Sequence, residues 1–316
     1  MRWVGLLLLG LAARHVLGAD SKEAFYTQVE RSVVRLERKI SGPAGDEYCP
    51  VGTGFFVNNE KNETFIVTAR HVAVVGDLRA RVPTALTATG KTDVVELRLP
   101  RTKWVLNKNA GDDKTYPVDV AVMKLTGIKD RAIVTFRYCP TACGPEEYNQ
   151  VAQDPVPPDE VLIFGFPADV GFTLKEPRPM ARFGVVALTT VDETAFTVTD
   201  QGQERVLPKG VYAVDARMIG GNSGGPVVVM NPFQQLRLGG LVTAENQSLD
   251  FGVMTPVTQI AETLEQAKDT AADPTTWVAL DTSSAKEGPL FGPEREAWLK
   301  RCFPSRPVPI SPALER

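Results

Sequence analysis

The sequence predicts an all-β protein, a barrel or a sandwich, from three observations. Short apolar runs recur about a dozen times. Many of them are rich in β-branched residues, and Gly, Pro, Asn or Asp bounds them. Long helical periodicity is scarce between residue 32 and about residue 258.

Taken in chain order, residues 21–31 fit a short helix, with Ser21 as its cap and Phe25 one turn from Val29. A first set of strands follows at Ser32–Ile40, Gly54–Val57, Thr64–Thr68, Val94–Leu97 and Val120–Leu125. A second set comprises Glu160–Phe164, Gly184–Leu188, Ala195–Thr199, Val211–Val214, Pro226–Met230, Leu236–Val242 and Phe251–Met254. Between them Cys143–Asp159 is polar and proline-rich, as suits a connection crossing the surface. Thr255 and Pro256 then read as an N-cap and first helical residue. Val257, Ile260, Ala261 and Leu264 share one face of a helix running to about Lys268. Residues 269–316 form a proline-rich tail in which Trp277, Phe291, Trp298 and Phe303 offer anchors to the body.

The 316 residues carry 43% hydrophobic and 23% charged side chains, enough for a sizeable core. A formal net charge of -3 without a concentrated basic face argues against a nucleic-acid partner. Residues 1–19 read as a secretory signal: Arg2 leads, Val4–Ala13 is apolar, and Gly18 and Ala19 offer a cleavage site. Arg14 and His15 interrupt the apolar run well short of the roughly 20 residues of a bilayer span. A secreted or periplasmic protein is expected, with no stable membrane insertion after cleavage; an uncleaved anchor is the alternative. The four cysteines, Cys49, Cys139, Cys143 and Cys302, allow three connectivities, of which Cys139–Cys143 with Cys49–Cys302 is favoured. Their spacing matches no usual zinc pattern, so no metal is expected.

Chemistry concentrates at three places. Gly220-Gly-Asn-Ser-Gly-Gly-Pro226 surrounds Ser223 with small residues, which permit a sharp turn and close approach of a carbonyl to backbone N–H groups. A serine needs such exposure, and a base, to act as a nucleophile. Gly221 and Ser223 are the N–H donors positioned to form an oxyanion hole. With His15 in the signal, His71 is the single histidine of the mature chain, at the end of a strand. Asp119 opens the apolar strand Val120–Leu125, where an unpaired carboxylate is costly and a bond to the His71 ring resolves the cost. Each place also has a plain reading: a glycine-rich turn, a satisfied histidine, a strand-edge aspartate.

Together Thr68-Ala-Arg-His71, Asp119-Val-Ala-Val-Met-Lys-Leu125 and Gly221-Asn-Ser-Gly-Gly-Pro226 resemble the three signatures of trypsin-like serine proteases, in the order His, Asp, Ser. The flavour is similar to the bacterial HtrA-like group, with Ser32-Val-Val34, Gly52-Thr-Gly-Phe-Phe-Val57, Asp215-Ala216 and Phe251-Gly-Val-Met-Thr-Pro256 in support. The resemblance covers roughly residues 30–268. It implies a chymotrypsin-like fold of two six-stranded antiparallel β-barrels with a short C-terminal helix. Barrel one is expected over about 30–145, barrel two over about 158–258 and the helix over 256–268, all within a protease domain at 21–268. His71, Asp119 and Ser223 are the implied catalytic triad, and hydrolysis of protein or peptide substrates through an acyl-enzyme is the implied activity, with no cofactor.

Departures qualify the resemblance. The chain has no Arg/Lys-Ile-Val-Gly-Gly activation sequence and no recognisable PDZ domain, and Leu99–Tyr116 forms a long polar insertion. Arg217, six residues before Ser223, stands where trypsin-like enzymes place the base of their specificity pocket, so an acidic substrate side chain is one expectation. A catalytically silent module that binds peptides or partners remains the alternative function. An α/β-hydrolase esterase fits poorly, because there the histidine follows the serine.

Overall fold

The computed structural model describes residues 29–42, 45–59, 61–86, 92–109, 117–126, 136–137, 154–167, 178–189, 197–200, 203–206, 210–230, 236–246, 251–270, 277–279 and 293–302. The expected signal 1–19 with His15, most of the expected helix 21–31 and the Cys139–Cys143 pair lie outside the described residues. Residues 29–32 are helical.

Seventeen strands and three α-helices follow in the described residues. The first body contains β1 (Val33–Gly42), β2 (Gly45–Asn58), β3 (Thr64–Thr68), β4 (Leu78–Leu86), β5 (Thr92–Leu99), β6 (Val105–Leu106), β7 (Ala121–Leu125) and β8 (Phe136–Arg137). A one-turn helix α1 (Arg70–Ala73) follows β3. The second body contains β9 (Glu160–Gly165), β10 (Met180–Thr189), β13 (Tyr212–Asp215), β14 (Pro226–Met230), β15 (Leu236–Asn246) and β16 (Phe251–Pro256). β11 (Thr197–Asp200) and β12 (Gln203–Val206) form a separate two-stranded ribbon. Helix α2 (Val257–Ala267), strand β17 (Trp277–Ala279) and helix α3 (Pro293–Cys302) complete the chain order.

The second body is a closed barrel, β10-β13-β16-β15-β14-β9. Its strands β9, β14 and β16 are buried on both faces, and the period of two sorts the side chains. Val161, Ile163, Val186, Val214, Val227, Val229, Val242 and Met254 fill the interior. Leu162, Phe164, Val228 and Leu241 point the other way and join the core of the first body. The two bodies therefore share one apolar seam, and α2 lays Val257, Ile260 and Leu264 into it.

The β-rich, chymotrypsin-like class holds, and for the first body closure into a barrel is not seen among the described residues. Among the described residues it is an open nine-stranded sheet, β17-β5-β4-β1-β2-β3-β7-β6, with β8 alongside β2. Closing a cylinder requires the edge strands to pair with each other. Here the edge of β5 takes Trp277–Ala279 from the tail, and β6, only two residues long, ends the other side.

The tail packs on the body, and two of its expected attachments, Trp277 and the Cys49–Cys302 pair, are present. Trp277 Nε1–H donates to the Thr126 carbonyl (3.3 Å). Helix α3 is fixed to β2 by a Cys49–Cys302 disulfide and by Arg301, which grips both oxygens of Glu47.

The start of α2 is a correction. Pro256, not Thr255, occupies the N-cap position, and no side chain caps there. Thr255 is buried in β16, where its hydroxyl meets that of Thr243. Asp154 supplies the missing acceptor, taking the Thr258 N–H at 3.1 Å and the Thr258 hydroxyl at 2.8 Å.

Opposite the core, β1, β4 and β5 present charged residues in cross-strand register: Glu37 beside Arg79, Arg35 beside Arg81, and Arg81 beside Glu96. Glu37 is only 2% exposed and pairs with Arg35, with Arg79 Nε at 2.7 Å and with Arg81 Nε at 3.4 Å. Arg79 also lies over the Tyr48 ring. Burial opposes ionisation of Glu37, but the guanidiniums of Arg35, Arg81 and Arg79 outweigh it and lower its pKa from 4.5 to about 2. A pKa depressed by folding adds stability above about pH 4.5, and that stability is lost as the pH falls toward 2. Glu37→Gln is expected to cost about 3 kcal/mol at neutral pH, because it leaves buried guanidiniums without their anion. In urea titrations the variant should also lose the acid-dependent slope of the wild type between pH 4.5 and 2. A variant as stable as wild type, with the slope intact, contradicts this account.

Candidate active site

Strand β3 ends at Thr68, and the chain turns through Ala69 in extended conformation into the single turn of α1, which carries His71. Asp119 lies just ahead of β7, the strand paired with β3. That pairing sets the two side chains next to each other. Asp119 Oδ1 accepts the His71 backbone N–H at 2.9 Å, and Oδ2 lies 2.7 Å from Nδ1 of the ring. A carboxylate only accepts, so Nδ1–H is the donor and the neutral ring carries its lone pair on Nε2. Asp119 is 1% exposed and the His71 side chain 37%. One buried carboxylate thus fixes both the backbone and the tautomer of a partly exposed imidazole. Its burial is compensated by the two hydrogen bonds, which answers why an aspartate opens an apolar strand.

Ser223 stands in the turn between β13 and β14. The Asn222 N–H donates to the Ile219 carbonyl at 3.0 Å, and the Gly225 N–H to the Asn222 carbonyl at 2.8 Å. The Gly224 N–H donates to Val242 in β15 at 2.8 Å. In a trans peptide the N–H points opposite to the carbonyl. With the Asn222 carbonyl committed to Gly225, the Ser223 N–H faces the other way.

Thr53, in the middle of β2, meets this turn twice. Its N–H donates to the Ser223 carbonyl at 2.8 Å, and its hydroxyl to the Gly221 carbonyl at 2.7 Å. The fit is too close for side chains. A Cβ on Gly224, whose φ is +83°, falls 2.2 Å from Thr68 Oγ1, 2.3 Å from the Thr53 carbonyl oxygen and 2.8 Å from the Ala69 nitrogen. A Cβ on Gly52 meets Val72 Cγ2 at 2.7 Å and the Ser223 carbonyl oxygen at 3.0 Å. The serine turn is therefore seated against the end of β3 and the helix that holds His71.

Arg217 is exposed, and its carbonyl accepts a hydrogen bond from Arg182 Nη1 at 3.1 Å. Met218 beside it turns into the barrel and covers Gly252, where a Cβ falls 2.3 Å from Met218 Cγ. The insertion Leu99–Tyr116 is described as far as Asn109; within it Asn107 Nδ2 donates to Thr263 Oγ1 of α2 at 2.9 Å. Sequence reading gave no role to Thr53 or Thr68. The signal was present in Gly52-Thr-Gly54, a polar residue between two glycines in an otherwise apolar run.

The seating of the turn has a measurable consequence. Gly45 also has a positive φ, +112°, but open space around its missing Cβ. Gly45→Ala carries backbone strain alone, about 1 kcal/mol. Gly224→Ala adds a collision with backbone atoms that cannot step aside, and is expected to lower the thermal midpoint far more. Equal midpoints for the two variants contradict this packing.

In comparisons with known proteins, a family model described as trypsin-like peptidase domain matches residues 52–231, more than half of the chain. Among solved structures, the active form of the Rv3671c protease from M. tuberculosis is similar at 17% identity, with 79% of this chain and 86% of that one covered and a TM-score of 0.44. A thermostable serine protease, AL20, from an extremophilic microorganism is 15% identical over 77% of this chain and all of that one, TM-score 0.45. An HtrA-type protease, AlgW, with a tripeptide is 15% identical over 77% of this chain and 62% of that one, TM-score 0.44. No curated protein matches.

Proposed function

This chain belongs to the family of trypsin-like peptidases, and we propose that it is a serine endopeptidase that cleaves protein or peptide substrates through an acyl-enzyme on Ser223. The observation that carries the reading is the Asp119 carboxylate spanning the N–H and Nδ1 of His71 at 2.9 and 2.7 Å. It leaves Nε2 as the proton acceptor, which a general base requires.

In this mechanism the Ser223 hydroxyl attacks the scissile carbonyl carbon while its proton passes to His71 Nε2. The imidazolium is stabilised by Asp119. The Gly221 and Ser223 N–H groups bind the oxyanion of the tetrahedral intermediate. Collapse breaks the C–N bond, and the departing amine takes the proton from His71. Water, deprotonated by the same ring, then releases the acid product and restores Ser223. No step calls for a metal or an organic cofactor. Arg217 favours an acidic side chain ahead of the cleaved bond. We further propose an exported, secreted or periplasmic protein: the Cys49–Cys302 disulfide supports an oxidising compartment.

A fluorophosphonate probe is expected to label the wild-type protein, and Ser223→Ala to abolish labelling and lower peptide turnover about 10⁶-fold. Asp119→Asn should leave the fold intact and cost about 10⁴-fold, since the ring then settles in the wrong tautomer. Failure of the folded wild type to label at any pH favours a silent peptide-binding module. Near-normal turnover of Asp119→Asn refutes the role given to that carboxylate.

A further inference from the structure

We infer that Thr53 is a positioning residue for the oxyanion-binding turn, acting through the Gly221 and Ser223 carbonyls; the inference rests on the protease reading. Thr53 is fully buried and every polar group it has is used. The N–H goes to the Ser223 carbonyl (2.8 Å), and the hydroxyl hydrogen to the Gly221 carbonyl (2.7 Å). The hydroxyl oxygen accepts the Phe166 N–H (3.0 Å), and the carbonyl accepts the Thr68 hydroxyl (2.7 Å). Four elements thus meet at one residue: the serine turn, the loop after β9, the end of the histidine strand β3, and β2 itself.

The hydroxyl matters because of what a peptide unit is. Turning the Gly221 carbonyl turns the 221–222 plane, and with it the backbone on both sides. The two N–H groups proposed for the oxyanion belong to residues 221 and 223, whose own carbonyls are the pair that Thr53 holds. Without the hydroxyl, the Gly221 carbonyl and the Phe166 N–H lose their partner in a dry site. They then recover hydrogen bonds only by rotating, and rotation moves the donors. The Thr53 carbonyl, by accepting the Thr68 hydroxyl, ties the same residue to the end of β3, three residues before His71 in α1.

The test uses the full-length protein with Thr53→Val, nearly isosteric but without the hydroxyl, and Thr53→Ser, which keeps it. Competent sites are counted by fluorophosphonate titration, and kcat and KM are measured per labelled site on one peptide substrate. We expect Thr53→Val to lose about 10- to 100-fold in kcat, the scale of a misplacement of about an ångström, with KM nearly unchanged. Thr53→Ser should remain within about threefold of wild type in kcat per labelled site. The limb of the pH profile set by His71 should not move. Should Thr53→Val fail to fold, Thr53→Ala carries the comparison. A hydroxyl-free variant with wild-type kcat per labelled site, however few sites remain, overturns the inference and assigns Thr53 to stability alone. A wild type that never labels overturns the protease reading, and the inference with it.

Discussion

The seating of the Gly220–Gly225 turn on the backbone of β2 and β3 is the constraint from which the rest of the site follows. Backbone of the second barrel comes so close to Thr53 and Thr68 that position 224 admits no side chain. Hydrogen bonds across that seam come from Thr53, whose N–H and hydroxyl serve Ser223 and Gly221. Hydrophobic burial brings the two bodies together, because Leu162, Phe164, Val228 and Leu241 share a core with the first sheet. Burial is not directional, however, and the threonine hydrogen bonds are what select one register of turn against strand.

Each side of the seam then has its own means of fixing a reactive group. On the first sheet, antiparallel pairing of β3 with β7 brings Asp119 to His71. On the second barrel, β14 and β15 hold the turn from behind through Gly224, Gly225 and Val242. The charged face of β1, β4 and β5 adjoins this junction, Arg35 of β1 standing opposite Thr53 of β2, and α3 is tied to the same strand at Cys49.

Much of this was legible in the sequence. Glycines crowding a serine, a lone mature histidine at a strand end and an aspartate opening an apolar strand are local patterns with local causes. Helix α2 was legible too, from the spacing of Val257, Ile260 and Leu264. What escaped depends on partners distant in the chain. Strand β17 is three residues long and exists because β5 offers an edge. The cap of α2 comes from Asp154, about a hundred residues upstream. Thr53 stood in the quoted Gly52–Val57 segment without a role of its own, since its value lies in four partners that only the fold assembles.

The account stands most directly on the dependence of one hydroxyl on one imidazole across the seam. Peptide mapping by mass spectrometry after fluorophosphonate treatment, in wild type and in His71→Gln, measures it. The adduct should sit on the peptide containing Ser223, and its formation should slow at least about 10³-fold when the imidazole is removed. An adduct on another residue, or one on Ser223 that forms as fast without His71, contradicts the central claim.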